Sequence, residues 1–278
     1  MNELITELQR LYFLPDQQWH SQQANADSNP AYPAEGALTP AVVASSLAGE
    51  QTIALQLVSA DGMARAMLVD FAKPGDWQQV ANLYQAVQDE LDLPAPAISA
   101  SGQKGYRLWF SLAEPVPVAQ AGSFLDALRR KYLPDITVVN LELLPAGERT
   151  VAKLVPALHE ATGKWSAFID PSLGAMFVDE PGLEMAPNMG RQADLLAGLK
   201  SIKTVDFQRA LSLLQARSEA AVSQPGPGAG HTRTLLNVGN DYSDPKSFLL
   251  AVMNDPSASA RQRIRAAKAL QPYFVKDA

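Results

Sequence analysis

Apolar positions set the outline of this chain. Leu4, Ile5, Leu8, Leu11 and Tyr12 recur at helical spacing and predict an amphipathic helix at the start. Residues 20–37 are polar, carry Pro30, Pro33 and Gly36, and read as a long surface loop. Thr39–Pro40 couples an N-cap to a proline at the first helical position, so a second helix is predicted to run to about Gly49. The period then changes from that of a helix to that of a strand. Thr52–Val58 alternates with Ile53, Leu55 and Leu57 on one side, and Ala64–Phe71 follows an Asp61–Gly62 turn, so the two runs read as a hairpin. Val80, Leu83, Tyr84, Val87 and Leu91 mark a helix that begins near Asp76 and is broken by Pro94 and Pro96. Strands are predicted at Ala97–Ala100 and Gly105–Leu112, a helix from about Pro117 to Lys131, and strands near Ile136–Leu144 and Thr150–Val155. After residue 190 the pattern is helical, with Phe207, Leu211 and Leu214 on one face. Strands and helices alternate irregularly, which predicts an α+β fold rather than a doubly wound parallel sheet.

Gln224–Gly230 is rich in Pro and Gly and reads as a linker. The expected organisation is an α+β domain over 1–222, a linker over 223–230 and a small helical tail over 231–278. In the tail, Asp244–Pro245 starts one predicted helix, through Met253, and Ser257–Leu270 forms a second.

Composition narrows the function. Hydrophobic residues are 47% of 278, enough for a buried core. Charged residues are 19% with a net charge of −6, which excludes a chain-wide electrostatic DNA binder but leaves room for a local basic groove. There is no Cys, and His20, His159 and His231 share no short ligand spacing, so thiol chemistry and a His-rich zinc site are excluded. The start of the chain lacks a basic n-region, and no run approaches eighteen apolar residues. The expectation is a cytoplasmic protein with no membrane contact. Up to residue 60 six acids face one base, Arg10, so that face is not expected to touch phosphates.

Four motifs follow in order: Met67–Lys73 around Asp70, Ser101–Trp109, Leu141–Pro145 around Glu142, and Ala152–Gly163 with Lys153 and His159. Together with the Ala37–Pro40 and Leu47–Glu50 segments, this series resembles the archaeo-eukaryotic primase superfamily. It looks closest to the bacterial primase-polymerase branch of mobile and conflict elements. The resemblance implies a primase-polymerase-like core, an RRM-like sheet with flanking helices. It implies an Asp-x-Asp strand and a later acid that hold Mg²⁺ or Mn²⁺ against an incoming triphosphate. It also implies a Ser-Gly-x-x-Gly-x-His turn and a later basic stretch that bind nucleotide. Asp70 and Glu142 fall on the first and third acid positions and are the remnant catalytic and metal-ligand candidates. The second acid position holds Ala72 and the motif His position holds Arg107, so the resemblance implies a degenerate centre. Ser101, Gly102, Lys104, Gly105, Arg107, Lys153 and His159 are the nucleotide- or DNA-binding candidates.

Each residue has a plainer alternative. Asp70 fits a strand-end turn, Glu142 an outward position on an alternating strand, and Asp76 a helix cap with a metal role as its alternative. The Ser101–Gly105 segment fits an ordinary hairpin turn, Arg107 a surface strand position and His159 a loop. Arg129–Arg130–Lys131 ends a helix, where cations suit the macrodipole. Trp77, Trp109 and Trp165 suit the core. The tail from Phe248 to Tyr273 resembles a helical segment of phage terminase small subunits, with Arg261, Arg265 and Lys268 on one helical face. The expected protein is a primase-related factor of a mobile element or phage that binds single-stranded DNA or a nucleoside triphosphate. It would serve as an accessory to a helicase, nuclease or packaging protein. The alternatives are an active primase-polymerase with rearranged metal ligands and a non-catalytic protein-interaction subunit.

Overall fold

The structure, a computed structural model, describes residues 1–21, 35–147, 149–222 and 244–254, together with 263, 266, 267, 269 and 270. The chain divides into two compact units, Met1–Ala221 and Val222–Ala278.

In the first unit, helix α1 (Asn2–Leu11) buries Leu4, Ile5, Leu8 and Leu11, the positions its periodicity marks. Both ends of the segment read as a loop at 20–37 carry short strands instead: β1 (Gln18–Ser21) and β2 (Gly36–Ala37) pair antiparallel, and residues 22–34 between them lie outside the described residues. The polar sequence of β1 misleads because this strand sits over a partner sheet with only Trp19 turned toward the core. Helix α2 (Pro40–Leu47) starts as expected, with Thr39 Oγ1 accepting from the Val42 N–H at 3.3 Å.

The expected hairpin does not form. Strand β3 (Ile53–Gln56) pairs with β1 and with β8 (Val151–Lys153), whereas β4 (Met63–Phe71) lies in a different sheet. The pairing of the two runs stops at a Val58–Ala64 bridge and a Ser59 N–H to Met63 carbonyl bond of 2.9 Å around Gly62, whose φ is +74°. The reason is burial. Ile53 and Leu55 pack on α1 and α2, while β4 is covered on both faces and needs apolar neighbours on each side.

The larger sheet is antiparallel throughout, in the order β7-β4-β6-β5-β10-β9. Its remaining strands are β5 (Ala97–Ala100), β6 (Tyr106–Pro117), β7 (Leu141–Leu144), β9 (Ala157–His159) and β10 (Lys164–Ile169). Strands β9 and β10 have no counterpart in the sequence expectation. Helices α3 (Trp77–Asp89), α4 (Val118–Tyr132) and α6 (Thr204–Val222) cover one face, where Val69, Phe71, Leu108 and Phe110 meet Leu83, Phe124 and Phe207. The other face, with Leu68, Trp109 and Phe168, packs on α1, α2, α5 (Met189–Ala197) and the four-stranded sheet β2-β1-β3-β8. Alternation along β4 therefore sends Val69 and Phe71 one way and Leu68 and Asp70 the other. The fold is α+β, a sheet flanked by helices.

In the second unit, α7 (Pro245–Asn254) begins at Asp244, whose Oδ1 accepts from the Ser247 N–H at 2.9 Å. Helical residues recur at 263, 266, 267, 269 and 270, and Arg263 Nε donates to the Met253 carbonyl at 2.8 Å. The 223–230 linker and Arg261, Arg265 and Lys268 lie outside the described residues. Among the described residues no helix is long and apolar enough to cross a membrane.

Candidate functional site

The antiparallel register lines up one row of side chains across five strands. Glu142 on β7 faces Asp70 on β4, Asp70 faces Arg107 on β6, Arg107 faces Ser99 on β5, and Ser99 faces Phe168 on β10. The next row inward, Leu144, Leu68, Trp109 and Ala97, is fully apolar. Charge thus begins one step from the core wall, on the face turned toward β8. Trp109 is buried, as its sequence suggests, and its Nε1 donates to Ser99 Oγ at 3.0 Å.

Arg107 and Asp70 form an ion pair. Nε donates to Asp70 Oδ2 at 2.9 Å, and Nη2 donates to the same oxygen. The side chains are 13% and 17% exposed, so the pair is shielded from water on most sides. The guanidinium carbon lies 5.6 Å from the centre of the Trp109 ring, and Nη1 reaches the Lys153 carbonyl on β8 at 3.4 Å. Arg107 therefore bridges the two sheets. Glu142 is half exposed and pairs with Arg149 at 3.4 Å.

Lys153 and His159 stand on the same side. Lys153 Nζ is 3.4 Å from His159 Nε2. His159 is only 8% exposed, and its pKa falls from the ordinary 6.5 to about 4 through burial first, then through the charges of Lys153 and Arg107. A neutral imidazole accepts from the Lys153 ammonium through Nε2, which leaves the proton on Nδ1.

The Ser101–Gly105 segment is built differently from an open phosphate cradle. Ser101 Oγ accepts from the N–H groups of Gln103, Lys104 and Gly105 at 3.2, 2.8 and 2.9 Å, and the Gly102 N–H donates to the Pro181 carbonyl at 2.6 Å. Its backbone donors are engaged within the fold. Both glycines answer packing needs. A Cβ on Gly105 would lie 2.2 Å from the Phe71 carbonyl oxygen, and one on Gly102, at φ +76°, would lie 2.9 Å from the Ser166 nitrogen. Thr162 Oγ1 donates to the Gly102 carbonyl at 2.8 Å, tying the His159–Gly163 turn to this one. Lys104 alone of the segment projects a charge into solvent.

The structure thus brings Asp70, Glu142 and Arg107 into one row, with Lys153 and His159 beside it, and holds the Ser101–Gly105 turn at the end of the sheet. The Arg107–Lys153 link between sheets escapes sequence reasoning, because it depends on the placement of β8.

A divalent cation does not fit these residues as they stand. The guanidinium of Arg107 lies against the Asp70 carboxylate where a cation would approach it, and Glu142 is drawn toward Arg149. Ala72 follows β4 with its N–H donated to the Asn140 carbonyl at 2.9 Å, and it has no oxygen to offer from its side chain. Asp76 stands at the start of α3, its Oδ2 buried without a hydrogen-bond partner and its pKa raised by burial and lowered by Lys73. Among the described residues no three acidic or His side chains converge as metal ligands.

Comparison with known proteins bears on this geometry. Residues 15–152 match the family model described as the archaeo-eukaryotic primase domain of the TOTE conflict system. The match includes Asp70, Ser101–Arg107 and Glu142 and ends just before Lys153. Among solved structures, the chain is similar to the archaeo-eukaryotic primase domain of the cyanophage S-2L primase-polymerase. That similarity has 14% identity and a TM-score of 0.43 over 70% of this chain and 97% of that one. No curated protein matches the sequence.

Proposed function

We propose that this chain, whose residues 15–152 match the archaeo-eukaryotic primase domain, is a DNA- or nucleotide-binding member of that superfamily whose nucleotidyl transfer is lost or crippled. The observation that carries this reading is the Asp70–Arg107 ion pair. Metal-assisted phosphoryl transfer needs carboxylate oxygens free to hold cations against the triphosphate. Here a fixed cation from the chain takes the charge of the first acid, and Ala72 replaces the second. Lys153 and the neutral His159 beside this pair suit an anion instead, because an ammonium attracts phosphate and a buried neutral imidazole adds no competing negative charge. Single-stranded DNA or a nucleoside triphosphate is the ligand class, in the setting of a mobile element or phage and in support of a helicase, nuclease or packaging partner.

A second reading, an active primase-polymerase with rearranged ligands, draws on one observation: Asp70 and Glu142 face each other directly across β4 and β7. Primer extension with Mg²⁺ and with Mn²⁺, beside binding of a labelled oligonucleotide, separates the two. The first reading expects binding without templated extension. Extension at polymerase-like rates that Asp70→Ala abolishes would establish the second.

A further inference from the structure

Beyond Asp70 the sheet ends in a row of a different kind. Phe71 pairs with Leu141 on one side and Tyr106 on the other, and the Ala72 N–H continues the ladder to the Asn140 carbonyl at 2.9 Å. Past these pairs the ladders end: Lys73 follows Ala72, Val138–Asn140 forms the 3₁₀ turn before β7, and Lys104 lies in the Ser101–Gly105 turn before β6. Gly105 shows how close that last turn comes to Lys73, since a Cβ there would lie 3.1 Å from both the nitrogen and the carbonyl carbon of Lys73.

Three features here are unusual for a surface. Lys73 and Lys104 are both exposed, in adjacent loops, and among the described residues neither ammonium has an ion-pair partner. Like charges brought side by side repel and cost stability unless something compensates them. Val139 is 86% exposed and Val138, its neighbour in the 3₁₀ turn Val138–Asn140, is 63% exposed. Two consecutive β-branched residues held in water on a short fixed turn form a small apolar step. Arg130, exposed at the C-terminal end of α4, precedes the same connection to β7. The acids on the elements around it include Asp135, exposed in that connection, and Asp76, which Lys73 influences without forming an ion pair. On the Lys104 side the segment that accepts from the Gly102 N–H carries Asp179, whose charge Tyr106 feels, and Glu180, which pairs with Lys164 at 3.2 Å.

We infer that Lys73, Lys104 and the Val138–Val139 turn form a docking strip for single-stranded nucleic acid at the end of the six-stranded sheet. The proposal rests on the binding function proposed above and names the surface that guides the strand. The chemistry favours a single strand on two counts. Two neighbouring cations match the successive phosphates of a backbone, and binding them releases counterions. The valine step offers an apolar surface to a base face, which only an unstacked base can present. In a duplex those faces are hidden, and the valines would gain nothing.

The test is a titration of fluorescent oligo-dT and of a duplex of equal length with the full chain, at a series of salt concentrations. Three variants accompany it: Lys73→Gln/Lys104→Gln, Val138→Ser/Val139→Ser, and Lys104→Arg. All lie at exposed positions, and their melting temperatures check that the fold is kept. The lysine pair should lower affinity by tenfold or more at physiological salt. It should also flatten the slope of log affinity against log salt by about 1.4, two contacts at about 0.7 each. The valine pair should weaken oligo-dT several-fold with the slope unchanged and leave duplex binding as it was. Lys104→Arg should retain binding. If the original protein binds oligo-dT and both double variants bind it equally well, the strip is not the contact, although the binding function stands. If the original binds no strand at any salt, the function proposed above fails with it. Equal affinity for duplex, or a self-association that the valine variant alone abolishes, would reassign the strip to a different partner and overturn the proposal.

Discussion

At the scale of single residues, the centre of this protein turns on which charge sits beside Asp70. Arg107 supplies two donors to one carboxylate oxygen in a setting only 13% to 17% exposed, so neither partner can be removed without leaving a shielded charge unmatched. Arg107→Ala should therefore cost roughly 1–3 kcal/mol of stability, measured by denaturant unfolding. A different pair of changes tests the lost metal site. Ala72→Asp adds a carboxylate just past the end of β4, and Arg107→His removes the fixed cation at neutral pH. The double variant should gain a Mn²⁺-dependent rise in melting temperature that the original protein lacks, because a ligand bound only by the folded state stabilises it. An original protein that already binds Mn²⁺ as tightly would restore the active-enzyme reading. His159 gives a pH signature. Its imidazole protonates near 6.5 when unfolded but near 4 when folded, so between those values the unfolded chain holds more protons. Its contribution is present in full above about pH 6.5 and is lost as pH falls toward 4, by about 3 kcal/mol at most. His159→Gln should flatten that part of the stability profile in unfolding series at pH 7.5 and 4.5.

At the scale of elements, the turns explain the glycines, and a substitution tests it. Gly105→Ala puts a methyl group 2.2 Å from the Phe71 carbonyl oxygen, backbone that cannot swing aside. The loss should be roughly 1–3 kcal/mol in denaturant unfolding. A variant as stable as the original would show that the turn shifts freely. The same elements show what a sequence can and cannot carry. Helices α1, α2, α3 and α4 were legible because period and caps are local: Thr39 and Pro40 mark a start whatever lies elsewhere in the chain. Strand partners are not local. Nothing within Thr52–Phe71 says that β3 seeks β8, a hundred residues on, rather than β4 next to it. Strands β9 and β10 were missed for a related reason. Their short runs, Ala157–His159 and Lys164–Ile169, lie around a Thr162–Gly163 turn, and only pairing to β5 makes them part of the sheet. The site was half legible. Motif order marks Asp70, Arg107 and Glu142, while their alignment in one row depends on strand register, and the closure of the Ser101 turn on its own hydroxyl depends on a side-chain placement that no local pattern encodes.

At the scale of the whole chain, the buried clusters bear on where an independently folding body ends. Among the described residues, both large cores of the first unit are built from residues between Leu4 and Leu214. A chain cut after residue 222 keeps both faces of the six-stranded sheet covered, since α1, α2, α3, α4, α5 and α6 all lie before the cut. Such a fragment should melt in one cooperative transition close to that of the full chain, because stability follows the apolar area removed from water and that area is retained. The proline- and glycine-rich stretch over 223–230 predicts where a protease cuts first, as its composition gives the backbone few regular hydrogen-bond partners. Limited digestion with elastase or thermolysin, read by mass spectrometry, should therefore give an early product ending between residues 222 and 231. That product should retain the oligo-dT affinity of the full chain, since Lys73, Lys104, Arg107 and Lys153 are all within it. A product that unfolds would mean that residues past 222 complete the core. A folded product that has lost the single strand would move the binding surface to the tail, where Arg261, Arg265 and Lys268 supply the alternative cations.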